Sequence, residues 1–338
     1  MARLIVTNGD SAAANIRSGG VSGRVLEWRD VLHDGPVPGL ESLELVSDVR
    51  ADYLAAVFGL DFADVRGDFA ARDGLITAHI AYSDVELWFE HDLFDQLQLV
   101  QLLAFFAREP ERVGLKLMQA DTYLGALSHE AAAALAPGAV PVTTVQLEAG
   151  RATWAVVTAD TPEGIAALAE APVPDLPFLA PSLRRWLEEL PAPASGLSLT
   201  QERALQALAE GPMIVGRLFG AVTEQDEAKF LGDMSFFLRL DEMAFGPEPL
   251  LTGLPCPVHE VPRFSPAVAG EVPTAEELSY RSYAASTVTL TPAGRAALAG
   301  TLDHATANAI DRWQGGTHLK AGNIWRFDRR EGRLVAPA

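Results

Sequence analysis

The chain contains 338 residues, which suits two or three domains, and 49% of them are hydrophobic, as in an ordinary globular protein. Its formal net charge of −19 argues against nonspecific binding to nucleic acid or to an anionic membrane, because both require a cationic surface. The single cysteine, Cys256, excludes an internal disulfide framework and any metal site built from several cysteines.

The N-terminal sequence MARLIVTNGD lacks the apolar core of a secretory signal. No apolar run reaches the roughly 18 residues that a membrane span requires. Together with the single cysteine, these features predict a cytoplasmic protein that has no membrane partner.

The first 138 residues alternate short apolar segments with helical patterns. The predicted strands are residues 3–7, 24–27, 85–89 and 114–119. The predicted helices are one that follows the Asn8-Gly9 turn, then 42–58, 62–72, one that begins after Asp92, and 129–135. This alternation predicts an α/β domain at residues 1–138 with a doubly wound, mostly parallel sheet of the Rossmann-like class.

Residues 139–195 are predicted to form a helical connector. The segment 142–157 fits either a helix or a strand, and we favour a helix; a second helix is predicted at 182–190 before the proline-rich linker. Residues 196–302 then give helices that begin near Ser198 or Thr200, at 215–221 and at 224–240, followed by strand-like segments and a last helix. This order is typical of a winged-helix-like domain.

The charge of residues 196–300 argues against DNA recognition by that domain. The segment has seven basic and thirteen acidic residues, whereas a recognition helix needs cations to hold phosphates. We therefore expect this domain to pack or to bind a protein partner, with nucleic acid as the less favoured alternative.

The C-terminal tail, residues 303–338, has the opposite charge character. Residues 312–333 carry six basic and two acidic side chains. One hypothesis is that the tail packs back on the acidic edge of the α/β domain, with Arg312 or His318 facing a ligand. The alternative is a solvated basic end.

Polar side chains follow each predicted strand of the first domain. In an open parallel sheet these positions lie along one edge, where ligands bind, so we expect a shared site. The candidate residues of this edge are Asn8, Asp10, Ser11, Arg29, Asp30, Asp34, Glu90, His91, Asp92, Asp95, Gln96 and Asp121.

The residue types limit the chemistry of such a site. Residues 8–11 can present backbone N–H groups to a phosphate, but they lack the lysine of a P-loop, and the chain has no GxGxxG motif. His91 and Asp95 are four residues apart and, with Asp92 or Asp10, are candidate ligands for Mg²⁺, Mn²⁺ or Zn²⁺. Alternatively, a carboxylate pair serves as general acid and base.

Each of these interpretations has a structural alternative. Asp92 is well placed as the N-cap of the following helix, and residues 8–11 also suit a turn with a cap. Arg29 either clamps an anion or simply pairs with a carboxylate. We take Asp10, His91, Asp92 and Asp95 as the candidate catalytic residues.

Three segments in order, TNGDSAA, LEWRDVLHDGPVP and LWFEHDLFDQLQLVQLL, resemble the bacterial family designated domain of unknown function 1835. The resemblance covers residues 1–125. The later segments LSLTQERALQALAEG, LTPAGRAALAG and IDRWQGGTHL resemble what commonly follows that domain. The resemblance implies the domain layout and the choice of site residues, and it implies no reaction.

Three hypotheses about function follow. The first is an enzyme or binding protein that holds a small polar or phosphorylated ligand at the sheet edge, with a hydrolase or phosphoryl-transfer reaction and a divalent metal ion as a possible cofactor. The second is a ligand-sensing regulator whose winged helix contacts a protein or DNA partner. The third is a noncatalytic scaffold in which the acidic residues only cap helices.

Overall fold

A computed structural model of the protein describes residues 2–109, 112–261 and 280–337. Part of the region predicted to be winged-helix-like, residues 262–279, lies outside the described residues. The chain separates into two compact units. Unit 1 comprises Met1–Arg50, Arg66–Trp186 and Gln314–Thr317, and unit 2 comprises Ala51–Val65, Leu187–Trp313 and His318–Ala338.

The chain is mixed α/β. The helices are α1 (Asp10–Ser18), α2 (Leu43–Phe58), α3 (Phe62–Thr77), α4 (Leu93–Phe106), α5 (His129–Ala134), α6 (Thr144–Val157), α7 (Glu163–Ala169), α8 (Leu179–Leu187), α9 (Leu199–Ala209), α10 (Val215–Thr223), α11 (Asp233–Ala244), α12 (Tyr280–Ala285), α13 (Pro292–Leu298) and α14 (His304–Ala307). Among the described residues, no helix is both long and apolar enough to cross a membrane.

The strands are mostly short. They are β1 (Arg3–Thr7), β2 (Arg24–Glu27), β3 (Gly35–Pro36), β4 (Asp84–Phe89), β5 (Leu115–Gln119), β6 (Val140–Pro141), β7 (Met213–Ile214), β8 (Leu251–Thr252), β9 (Thr287–Leu290), β10 (Arg312–Gly315), β11 (Thr317–Leu319), β12 (Arg326–Asp328) and β13 (Arg333–Val335).

The main sheet of unit 1 has five strands in the order β2-β1-β4-β5-β6. The first four are parallel, and β6 pairs antiparallel with β5 at the edge. Consecutive residues Leu4, Ile5 and Val6 are all fully buried, so both faces of β1 are covered. Parallel strands that are buried on both faces have continuous apolar sequences, so these strands could be predicted from the sequence.

One face of this sheet packs against α1. Ile16 of α1 joins a buried cluster with Ile5, Val25, Trp88 and Met118 from four neighbouring strands. At the start of β5, Gly114 has φ of +70°, and a Cβ there would lie 2.3 Å from the carbonyl oxygen of Ser83. The turn into β5 therefore requires glycine.

Helix α6 confirms the helical alternative for the segment 142–157. Thr143 caps the helix and forms a capping box with Gln146, which satisfies two N–H groups at the helix start. Gly150 of α6 lies against α4, because a Cβ at this position would be 2.3 Å from Cβ of Leu103. This segment is thus helical and packs closely on α4 within unit 1.

Unit 2 contains α9, α10 and α11 together with an antiparallel sheet in the order β7-β9-β8. Helix α9 begins at Ser198, whose hydroxyl accepts from the N–H of Gln201 in a second capping box. The predicted helix 224–240 begins later, since α11 starts at Asp233 after the N-cap Gly232. Asp226 in the skipped segment pairs with Arg203 at 2.6 Å, a long-range contact that a local helical pattern does not show.

The helix predicted at 182–190 lies three residues earlier, at α8. Pro181 sits in the first turn of α8, where its missing N–H costs nothing. The helix predicted at 62–72 extends to Thr77. Arg72, the last residue of the predicted helix, is buried and stacks over the ring of Trp28 at 4.2 Å. Ile76, in the turn beyond it, is fully buried, so tertiary packing covers the part of the helix that was not predicted.

Candidate functional site

The candidate site lies where the order of the parallel strands reverses. From β1 the chain passes through α1 to β2 on one side, and from β4 it passes through α4 to β5 on the other. Thr7 at the end of β1 pairs with Trp88 near the end of β4. The crevice outside such a reversal, at the carboxyl ends of the strands, is where open α/β sheets bind ligands.

The segment that leaves β4 forms a tight junction with α4. Asp92 is the N-cap of α4, and its Oδ1 accepts the N–H of Asp95 at 3.2 Å. The structural alternative for Asp92 is therefore confirmed: it caps the helix. Its position three residues before Asp95 also places the two carboxylates on the same side of the first turn.

Three carboxylates converge at this junction. Glu90, Asp92 and Asp95 each offer an oxygen, and these oxygens all lie within 4.8 Å of one another. The exposed fractions of the three residues are 3%, 3% and 0%. We call this group the acidic cluster.

Hydrogen bonds from separate parts of unit 1 fix the acidic cluster. The amide Nδ2 of Asn8 donates to Oδ2 of Asp95 at 2.7 Å, which joins the end of β1 to the start of α4. The N–H of Glu90 donates to Oδ1 of Asp95 at 2.7 Å, and the N–H of Leu124 donates to Oε1 of Glu90 at 2.8 Å. Each carboxylate is therefore oriented by at least one donor.

Burial and mutual repulsion disfavour the ionised forms of the cluster. Burial, followed by the charge of Asp92, raises the pKa of Glu90 to about 7. Burial raises the pKa of Asp92 to about 6. Burial and both neighbouring carboxylates raise the pKa of Asp95 well above its usual value, although the N–H of Glu90 and the amide of Asn8 oppose the rise.

The cluster has no cationic partner within the described part of the chain. There, no nitrogen of Lys, Arg or His lies within 4.0 Å of a carboxylate oxygen of Glu90, Asp92 or Asp95. Buried carboxylates are normally paired with a cation or coordinate a metal. A set of carboxylate oxygens suits a hard cation such as Mg²⁺ or Mn²⁺ better than Zn²⁺, which prefers nitrogen and sulfur ligands.

His91 lies between two members of the cluster in sequence and points elsewhere. Its ring packs against Tyr123 and Phe178, with ring centroids 5.1 and 5.9 Å apart, and its carbonyl oxygen accepts from Ser182 at 3.4 Å. The expected pairing of His91 and Asp95 on one helix face does not arise, because His91 precedes the N-cap and lies outside α4. The residues that could together hold a metal ion are instead Glu90, Asp92 and Asp95.

Asp10 and Arg29 form an exposed pair at the same sheet edge. Asp10 is the first residue of α1, and its Oδ1 accepts from Nη2 of Arg29 at 2.5 Å. Their side chains are 72% and 50% exposed. The hydrogen bond to Asp10 raises the pKa of Arg29. Ser11 follows on α1 and is also exposed.

Asp30 and Asp34 belong to a buried network that holds the loop after β2. Arg50 donates to Oδ1 of Asp30 at 2.9 Å and to the carbonyl oxygen of Asp34 at 2.7 Å. Gln98 of α4 donates to the carbonyl oxygen of Asp30 at 2.8 Å. These contacts give the side chain of Asp30 and the main chain of Asp34 a role in the loop's structure. Arg50 gave no signal in the sequence, because these two partners lie 20 and 16 positions before it in the chain.

Gln96 is buried, whereas Asp121 is exposed. Gln96 lies in the first turns of α4, is 1% exposed, and donates from Nε2 to the carbonyl oxygen of Glu90 at 2.7 Å. Asp121 follows β5 by two residues and is exposed. The structure therefore brings Asn8, Glu90, Asp92, Asp95 and Gln96 together, whereas Asp121 lies at the end of the neighbouring strand.

Arg312 and His318 have acidic partners within unit 2. Nη1 of Arg312 lies 2.5 Å from Oε2 of Glu242, and its Nη2 donates to the carbonyl oxygen of Glu189 at 2.8 Å. His318 stacks on Trp313 with ring centroids 4.1 Å apart and lies 2.5 Å from Oδ1 of Asp311. These contacts account for both tail residues without a ligand.

No family model and no curated protein matches this sequence. Among solved structures, the chain is similar to the topoisomerase II DNA-binding, cleavage and re-ligation domain from Plasmodium falciparum, with a TM-score of 0.44 and 12% identity. The alignment covers 99% of this chain and 54% of that chain, so this chain spans about half the length of the structure it matches. A similarity of this extent carries no argument about function.

Proposed function

We propose that the α/β unit binds a divalent cation, Mg²⁺ or Mn²⁺, at the acidic cluster and acts on a small phosphorylated ligand as a hydrolase or phosphoryl-transfer enzyme. The observation that carries this proposal is the convergence of three buried carboxylates within 4.8 Å of one another. Their position at the reversal of strand order agrees with a ligand site.

The cluster is costly without a cation. Helix capping requires only Asp92, and an uncharged residue such as asparagine caps equally well. Glu90 and Asp95 are buried and repel each other, so a purely structural role would favour neutral side chains at these positions. A bound cation would remove the repulsion between the carboxylates. The destabilisation caused by burying them would then be relieved on binding, which favours the bound state.

The surrounding groups have distinct roles in this proposal. Asn8 and the N–H of Leu124 orient the carboxylates of Asp95 and Glu90 toward the ion. A divalent ion would supply charge stabilisation for the transferring phosphoryl group. Arg29, which follows β2 and pairs with Asp10 at the start of α1, is available to a ligand anion if it exchanges that contact. His91, whose ring packs against Tyr123 and Phe178, is given no role in the reaction.

The architecture that accompanies this function is also a proposal. The four parallel strands and the helices between them favour a Rossmann-like arrangement of unit 1, and α9 to α11 with their antiparallel sheet favour a winged-helix-like module in unit 2. We propose that this module packs or binds a protein, since its segment has more acidic than basic residues. This layout is also the one that the resemblance to the domain of unknown function 1835 implies.

A panel of phosphate monoesters, phosphodiesters and nucleoside triphosphates tests the function. Each compound is incubated with the full chain and Mg²⁺ or Mn²⁺, and phosphate or product release is measured. The proposal predicts turnover that requires the metal and is lost in Asp95→Asn. Glu86→Gln is the matched control, because Glu86 is a buried carboxylate of β4 that pairs with Arg3 at 3.3 Å and lies outside the cluster.

Activity that persists in Asp95→Asn, or that is equal with and without a chelator, would show that the cluster does not drive the reaction. No turnover of any compound, combined with no binding of Mn²⁺, would leave the noncatalytic scaffold as the better account.

A further inference from the structure

Gln96 has one half of its amide unsatisfied. It is the fourth residue of α4, and its Nε2 donates to the carbonyl oxygen of Glu90 at 2.7 Å. Because a main-chain carbonyl only accepts hydrogen bonds, this contact fixes which end of the amide is nitrogen. The oxygen Oε1 has no hydrogen-bond partner among the described residues, although Gln96 is 1% exposed.

The contacts of Gln96 place the residue next to members of the acidic cluster. The N–H of Gln96 donates to the carbonyl oxygen of Asp92 at 2.9 Å, so the two residues lie one helical turn apart on the same face. The other end of the amide is held on the main chain of Glu90. Gln96 is therefore adjacent to two members of the cluster through separate contacts.

A buried carbonyl oxygen without a donor is destabilising, and such oxygens in folded proteins usually accept from water. A water molecule coordinated to a divalent cation is a strong donor, because the cation polarises its O–H bonds. An amide oxygen accepts from this water and adds no further negative charge to the cluster.

We propose that Gln96 is a positioning residue whose Oε1 accepts a hydrogen bond from a water molecule coordinated to the divalent ion of the acidic cluster. This inference rests on the proposed function and deepens it. Orientation of a coordinated water by a fixed acceptor favours hydrolysis over transfer to another acceptor.

The same helix offers a matched control. Gln98 is fully buried, donates from Nε2 to the carbonyl oxygen of Asp30 at 2.8 Å, and also has an Oε1 without a partner among the described residues. Residues two positions apart on a helix do not share a face, so Gln98 points away from the side that carries Asp92 and Gln96. The variants Gln96→Met and Gln98→Met remove the same amide in settings of equal burial.

The test titrates Mn²⁺ into the full chain and its variants. Electron paramagnetic resonance of free Mn²⁺ gives the Kd, and the relaxation of water protons reports on the water held by the bound ion. Wild type and Gln98→Met are expected to agree in both measurements. Gln96→Met is expected to bind Mn²⁺ about tenfold more weakly, the loss of one strong hydrogen bond, and to alter the water relaxation.

Three outcomes overturn the inference. If Gln96→Met matches wild type in Kd and relaxation, the oxygen pairs with a structural water only, while metal binding stands. If both variants weaken binding equally, the effect is a general loss of stability. If wild type does not bind Mn²⁺, the proposed function fails as well. Should Gln96→Met not fold, Gln96→Asn keeps the amide but withdraws its oxygen by one methylene, and it is expected to show the same change in relaxation.

Discussion

Replacement of Asp92 by asparagine separates the effect of the acidic cluster on the stability of the metal-free protein from its role in metal binding. The amide oxygen of asparagine caps a helix as well as a carboxylate does, so the N–H of Asp95 keeps its acceptor. The substitution removes one of three buried negative charges and leaves the shape of the side chain unchanged. Without metal, we therefore expect Asp92→Asn to be more stable than wild type at pH 8.

The magnitude follows from the pKa of Asp92. Burial raises it from 3.8 to about 6, and one pKa unit corresponds to about 1.4 kcal/mol, so ionisation of the buried side chain costs about 3 kcal/mol. Loss of a negative charge at the start of α4 removes up to about 1 kcal/mol of favourable interaction with the helix dipole. The expected net gain for Asp92→Asn is about 2 kcal/mol.

The sign of the pH dependence is fixed by the direction of the shift. A folded-state pKa above the unfolded value means that the folded chain binds the proton more tightly. The stability of the metal-free wild type should therefore fall as pH rises from about 4 to about 6. Below this window the carboxyl is protonated in both states, and the advantage of Asp92→Asn should disappear.

Addition of a divalent ion should reverse the order of the two proteins. An ion that binds only the folded state at a hundred times its Kd stabilises the chain by about 2.7 kcal/mol, and the variant has lost a ligand. Urea denaturation of both proteins at pH 4 and pH 8, with and without Mg²⁺, measures eight free energies of unfolding. If Asp92→Asn is less stable than wild type in metal-free buffer at pH 8, the reasoning about the cluster is refuted.

Three further predictions concern other contacts. Asn8→Ala removes a donor to the ionised cluster, so the pH midpoint for Mn²⁺ binding should move upward in a titration, and an unchanged midpoint would contradict the role of this amide. Arg50→Met breaks a buried ion pair and should cost about 3–5 kcal/mol in urea denaturation, against less than about 1 kcal/mol for Arg66→Met in a partly exposed pair. Tyr283→Phe removes a donor that stabilises the ionised Asp241, so carboxyl carbon NMR should show the pKa of that group above its present value of about 6; a fall would argue against the contact.

Short-range patterns were sufficient for the four parallel strands of the main sheet and for most helices, whereas the edge strand β6 was not predicted. The parallel strands are continuous apolar runs because both of their faces are buried, and Asp92 stands where a cap is needed. The segment 224–232 shows the limit of this reasoning. It has a helical composition, but Gly232 caps the next helix and Asp226 is held by Arg203, which is 23 positions earlier in the chain.

The acidic cluster shows the same limit for the site. The three carboxylates, Glu90, Asp92 and Asp95, were candidates because they follow a strand. The hydrogen bonds that orient them, however, come from residues that are distant in sequence. Asn8 reaches Asp95 across 87 positions, and the N–H of Leu124 reaches Glu90 across 34. A backbone donor has no sequence signature at all. The orientation of His91 away from the cluster was equally invisible, because it depends on the rings of Tyr123 and Phe178.

The central claim is that Glu90, Asp92 and Asp95 hold a cation. The most direct measurement is anomalous diffraction from crystals of the full chain grown with Mn²⁺ above pH 7. The account predicts an anomalous peak at about 2 Å from a carboxylate oxygen of each of the three residues, the distance expected for an ion the size of Mg²⁺. A map with no peak at the cluster, or with the ion bound at other residues, would contradict it.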